Sequence, residues 1–187
     1  HLFWRTIMDY KKRTRKALAF SVMASAALAT ASFAAPDPNF HIYLAFGQSN
    51  MEGQGNIENQ DKTVDSRFQV LWAGDNGFCA NRTKGTWYDA TPPLASCDGK
   101  LSPVDYFGRT MVESTPEDIK IGVIVVAVAG CDIQLFEKDN YKSYVSRAES
   151  WMTSRINNYG GNPYGRLVEM GKQAQEVGVI KGILLHQ

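Results

Sequence analysis

Histidine and cysteine are both scarce, three of each in 187 residues, and none fall at the close spacing that holds a metal ion. No metal centre and no cofactor is therefore expected. Charge of one sign is also missing, since 20 Lys and Arg stand against 19 Asp and Glu. Without a basic patch or stripe, nucleic acid is excluded as a partner. No internal repeat or low-complexity tract follows residue 34.

What is present begins with an uneven N-terminus. Met8 opens a passage with the basic stretch KKRTRK at 11–16, followed by the uncharged run ALAFSVMASAALATASFAA at 17–35. That is the layout of a secretory signal peptide, with Ser32 and Ala34 as the small residues before a cut expected after Ala34. A membrane anchor is the alternative, because the run approaches the roughly 18 apolar residues of a spanning helix. Its Ala, Ser and Thr content argues against an anchor, and no Cys follows it to take a lipid. The residues before Met8, HLFWRTI, read as upstream translation. Secretion or export to the periplasm follows, with no stable membrane anchor after cleavage. The remainder, 35–187, carries 14 basic against 18 acidic residues, a net charge of −4, and its length suits one domain.

Along that domain, His41 to Phe46 is apolar at both alternations, the pattern of a strand covered on both faces. A second short strand is expected at Phe68 to Trp72. From there to Leu101 the chain reads as a long irregular excursion, broken by Gly, Asn and Pro. Unstructured segments of this length are usually functional or stapled. Cys79 and Cys97 lie within it, and a bridge between them would be worth about 3 kcal/mol by loop closure; two unpaired thiols are the alternative.

Ser102, Pro103 and Asp105 then form a helix start, and Val104, Phe107 and Met111 give its apolar stripe. IGVIVVAVAG at 121–130 is the strongest strand signal. Helical patterns follow at Val145 to Tyr159 and at Tyr164 to Glu176, the second closed by Gly178 as a left-handed cap. Ile180 to Leu185 is a last strand. Alternating strands and helices predict an α/β fold with a mainly parallel sheet, in which ligands sit beyond the carboxyl ends of the strands.

Three segments reach that edge: GQSN after the first strand, AGC after the central one and HQ after the last. Ser49 follows a glycine on a tight bend, a position that suits a nucleophile and also an ordinary turn. GQSNM lacks the second glycine of the GxSxG elbow, so the α/β-hydrolase signature is absent. Gly130 can offer its N–H to an anion with no side chain in the way, and Gln187 can add an amide donor, which is what a developing oxyanion requires. Gln48, Asn50 and Trp87 are candidate substrate contacts. Trp87 with Tyr88 could wall a sugar site or serve as buried loop anchors. Cys131 has no base beside it and reads as packing.

Taken in order, GQSNM at 47–51, VIVVAVAGC at 123–131 and ILLHQ at 183–187 resemble the first three blocks of the SGNH hydrolase superfamily. The branch they resemble holds the sialate O-acetylesterase-like proteins and acetylxylan esterases, carbohydrate esterase family six. The resemblance implies a three-layer α/β/α, flavodoxin-like sheet, incomplete at its C-terminal end. It implies Ser49 as nucleophile, with oxyanion donors from the Ser49 and Gly130 backbones and the Gln187 side chain. The substrate it implies is an acetylated carbohydrate, on acetylated xylan or a similar polysaccharide or on O-acetylated sialic acid. Relatives of this kind continue past HQ with GE and later a DxxH block carrying the acid and the catalytic His, whereas this sequence stops at Gln187. His1 precedes the leader, His41 opens the first strand, and His186 belongs to the third block. The expectation is a C-terminally truncated serine esterase whose given piece is inactive. A non-catalytic carbohydrate-binding relative is the alternative.

Overall fold

The computed structural model describes residues 34–187. The expected leader lies outside the described residues, apart from Ala34. Five strands form one sheet: β1 (Phe40–Gly47), β2 (Phe68–Leu71), β3 (Trp87–Asp89), β4 (Lys120–Ala127) and β5 (Val179–His186), in the order β3-β2-β4-β1-β5. All neighbours are parallel except β2 and β3. The α/β class with a mostly parallel sheet is therefore as the alternation of elements predicts. β1 lies between β4 and β5, whereas the flavodoxin order sets the first strand beside the second.

The double alternation in β1 and β4 has a direct physical reading. Ile42, Ile124, Val126 and Val128 face one core with α4 (Ser150–Asn157) and α5 (Pro163–Gln175); Ala45, Val123, Val125 and Ala127 face the other with α2 (Pro103–Ser114). Layers of helices thus cover both faces, and nearly every β4 side chain is buried. The Ser102 cap and its reciprocal bonds with Asp105 start α2 as the sequence indicates.

Three expectations are corrected. The helix expected at 145–159 is shorter: α3 (Tyr141–Val145) ends where it was to begin, and α4 covers only Ser150–Asn157, because the extended backbone of Glu149 starts the helix anew at Ser150. Gly178 is not a left-handed cap: α5 ends at Gln175, and the glycine is required because a Cβ there would lie 2.6 Å from the Phe40 carbonyl oxygen. The excursion after β2 is not wholly irregular, since Trp87 and Tyr88, good strand formers, pair with Leu71 and Val70 at the sheet edge. The structure bonds Cys79 to Cys97, with Cα atoms 5.6 Å apart. Buried Arg166 ties down the start of the same segment, donating to the Ala73 carbonyl (2.6 Å) and pairing with Asp75 (2.8 Å).

Candidate active site

The carboxyl ends of β1, β4 and β5 meet through backbone contacts that leave little freedom. Val128 N–H donates to the Gly47 carbonyl (3.1 Å), and Gln48 N–H donates to that of His186 (3.2 Å). Gly47 is irreplaceable at this junction, because a Cβ would sit 2.0 Å from the His186 carbonyl oxygen. The chain then turns into a single helical turn, α1 (Ser49–Glu52), with Ser49 as its first residue and half-buried.

Both Ser49 donors point to one acceptor. Its N–H donates to Gln48 Oε1 at 2.6 Å, and its hydroxyl donates to the same oxygen. Among the described residues no imidazole accepts the Ser49 proton. His41 is the second residue of β1, at the opposite end of that strand from Ser49, and the exposed His186 lines a groove with Met51, Pro103 and Phe107.

Gly130 follows β4 in a turn with φ +77°, a conformation that favours glycine. No acceptor among the described residues takes its N–H, so this donor is open to a ligand. Gln187 arrives from β5 and donates through Nε2 to the Cys131 carbonyl at 2.6 Å, which sets its amide beside the Gly130 turn. Ser49, Gly130 and Gln187 are thus brought to one edge. Asn50 is exposed on α1 at the same edge. Trp87 is not brought there: its ring packs on Phe40 at 4.8 Å and against Gly122, near the amino ends of the strands. The buried Cys131 thiol is pushed up to about 12 by desolvation, and it serves as packing beneath Gly47.

Sequence reasoning missed the carboxylate that supports this turn. Glu52, 4 % exposed, accepts the Ala129 N–H through Oε2 (2.9 Å), and through Oε1 it accepts from Arg155 Nη1 (2.6 Å) and Ser96 Oγ (3.2 Å). One side chain from the helix that Ser49 begins therefore holds the residue before Gly130 and reaches the disulfide-closed segment. A glutamate three residues after Ser49 on a short helix carries no sequence mark of such a role, since its partners lie 77, 103 and 44 residues away.

What the arrangement can do is add a hydroxyl to a carbonyl whose oxygen then meets preorganised donors. Residues 39–187 match the profile of a family described as carbohydrate esterase, sialic acid-specific acetylesterase. Among solved structures, the chain is similar to a protein from Arabidopsis thaliana at 19 % identity and TM-score 0.55, covering 80 % of this chain and 57 % of that one. It also aligns with a carbohydrate acetylesterase from Xanthomonas citri at 14 % identity, covering 77 % of this chain and 49 % of that one, with a TM-score of 0.32 from which no common fold follows. The chain spans less than two thirds of either protein.

Proposed function

The chain belongs to the carbohydrate esterase family of sialic acid-specific acetylesterases, and from that membership we propose that it is the acyl-binding part of a secreted serine esterase that removes O-acetyl groups from carbohydrate. One arrangement carries the reading: Ser49 at the end of β1 stands with an open Gly130 N–H and the Gln187 amide at a single sheet edge. Ser49 Oγ attacks the acetyl carbonyl, and the tetrahedral oxyanion accepts from Gly130 N–H and Gln187 Nε2–H. Ser49 N–H joins them once the Gln48 amide swings aside. The sugar oxygen leaves with a proton, and water releases acetate from the acetyl-serine.

The proton acceptor is part of the same proposal. Residues 34–187 offer no imidazole to Ser49 Oγ, so the base comes from outside them. The substrate class is acetylated xylan or a similar polysaccharide, with O-acetylated sialic acid as the other member of the family's range. The basic 11–16 stretch and the uncharged run after it support export. The missing imidazole favours one second reading, a non-catalytic carbohydrate-binding relative of the esterase fold.

Supplying the base separates the two. In imidazole buffer with 4-nitrophenyl acetate as donor, peptide mass spectrometry is expected to find an acetyl group on Ser49, and none elsewhere at the site in Ser49→Ala. If Ser49 gains no acetyl group under these conditions, the binding-protein reading replaces the esterase.

A further inference from the structure

Next to the oxyanion glycine lies a cavity of about 470 Å³, walled by Asp132, Gln134, Tyr144, Arg147, Glu149 and Trp151. Its size is that of small-molecule sites, which span roughly 300 to 1,000 Å³. Trp151 is the organising residue. It is 48 % exposed, yet it is not loose: its indole N–H donates to Glu149 Oε2 at 2.7 Å. Its ring edge lies against Gly130, so close that a Cβ on that glycine would come within 2.6 Å of it. Single exposed apolar residues are ordinary on protein surfaces. An indole that is fixed by a hydrogen bond, rims a cavity and touches the oxyanion donor is a different object.

The rest of the wall is polar and placed for hydroxyl groups. Asp132 donates its backbone N–H to Tyr144 Oη (2.9 Å), and its carboxylate takes no hydrogen bond or ion pair among the described residues. Arg147 commits Nε to the Ser143 carbonyl (3.1 Å), leaving the terminal nitrogens of its guanidinium for a ligand. A sugar ring has an apolar C–H face and a rim of hydroxyls. An indole face offers the complementary apolar surface, and carboxylates, amide and guanidinium satisfy the rim. Fixing the indole beforehand lowers the ordering cost of binding.

Resting on the esterase reading above, we propose that this cavity is its sugar subsite, that Trp151 is the stacking platform, and that the ring it takes is a neutral pyranose. The two carboxylates, Asp132 and Glu149, outnumber the one guanidinium, so the cavity disfavours a sugar that carries its own carboxylate. This selects polysaccharide esters over sialate esters and places the acetyl-bearing sugar oxygen beside Gly130.

The test is a binding measurement that needs no turnover. The full chain is titrated with unacetylated xylotetraose and, separately, with N-acetylneuraminic acid, following the Trp151 indole signal by ¹H–¹⁵N NMR, assigned by its loss in Trp151→Phe. Xylotetraose is expected to shift that signal, and N-acetylneuraminic acid to bind at least fivefold more weakly. Trp151→Ala and Trp151→Leu, the latter keeping bulk against Gly130, should each weaken xylotetraose at least tenfold, while Trp151→Phe stays within about threefold. Xylotetraose binding unchanged in either aliphatic variant, or absent in the parent chain at millimolar sugar, overturns the subsite. Equal or tighter binding of N-acetylneuraminic acid overturns the neutral-sugar assignment. Because Ser49 chemistry is not read, loss of this proposal leaves the acetyl-serine experiment standing, and failure of that experiment leaves sugar binding to be judged alone.

Discussion

Two buried carboxylates, Glu52 on α1 and Asp105 on α2, are treated very differently. Glu52, on the Gly130 side, has both oxygens occupied by a guanidinium, a hydroxyl and a backbone N–H. Asp105, at the start of α2, uses Oδ2 for Ser102 while its buried Oδ1 has no partner among the described residues. Burial pushes the Asp105 carboxyl up to about 6 against the opposing effect of the Ser102 hydrogen bonds and the Arg109 charge. The first carboxylate is a connector between three segments, and the second is a helix cap that tolerates a desolvated oxygen. The turn at Gly130 is thus tied by polar bonds to three segments, whereas β5 meets α1 and α2 chiefly through the apolar Met51, Pro103, Val104 and Phe107.

The comparison breaks first at Glu52. Glu52→Ala removes the acceptor for Ala129 N–H and Ser96 and leaves Arg155 without its partner. Since Arg155 is 37 % exposed, water recovers part of that loss. A cost of about 3 kcal/mol remains, at the lower end for breaking a buried pair. Denaturant unfolding should show it, with acetylation of Ser49 falling in parallel because the Gly130 turn loosens.

Asp105 answers through pH. Its folded-state value lies above the unfolded one of 3.8, so the folded chain holds the proton more tightly and this contribution is greatest at low pH. It is lost as pH rises through about 6. The change amounts to about 2 kcal/mol between roughly pH 4.5 and 7 by the usual 1.36 kcal/mol per unit. Asp105→Asn cannot titrate, so its stability profile over that window should be flatter than the parent's by this amount. Superimposable profiles would show that Asp105 is solvated.

Next in size is Gly130→Ala. The φ of +77° costs a residue with a Cβ on the order of 1 to 2 kcal/mol, and the new methyl group displaces Trp151. Circular dichroism melts should fall modestly. Ser49 acetylation should fall much further than the stability loss explains, since the N–H proposed above as an oxyanion donor moves.

How much of this could be read beforehand follows from the range of the signals. β1 and β4 are readable because continuous apolar runs encode burial locally, β5 because its apolar run still marks a strand although much of it is exposed, and the sheet edge where Ser49, Gly130 and Gln187 meet follows from the strand ends alone. Glu52 was not readable, because its three partners are brought in from the turn after β4, from α4 and from the Cys79–Cys97 segment. Trp151 is likewise marked only by what lies against it. Gly178 shows the converse failure: its position after a helix imitates a local cap, while its real constraint is the Phe40 carbonyl. Trp87, readable from its loop as either a sugar contact or a packing anchor, is held by strand pairing and by the Phe40 ring, which no local pattern announces.

The smallest effect should lie on the outer face of β5. Ile183 is 64 % and Leu185 54 % exposed, and β5 has a neighbour on one side only. Burying an aliphatic side chain completely is worth about 1.5 to 3 kcal/mol, so side chains this exposed have little of that to lose. Ile183→Ser and Leu185→Ser are each expected to shift unfolding by less than about 0.5 kcal/mol. Val126→Ala on fully buried β4 should cost about 2 kcal/mol by comparison. Equal costs at the two strands would mean that the β5 face is covered in solution, and the contrast between a connected Gly130 side and an apolar β5 side would then have to be redrawn.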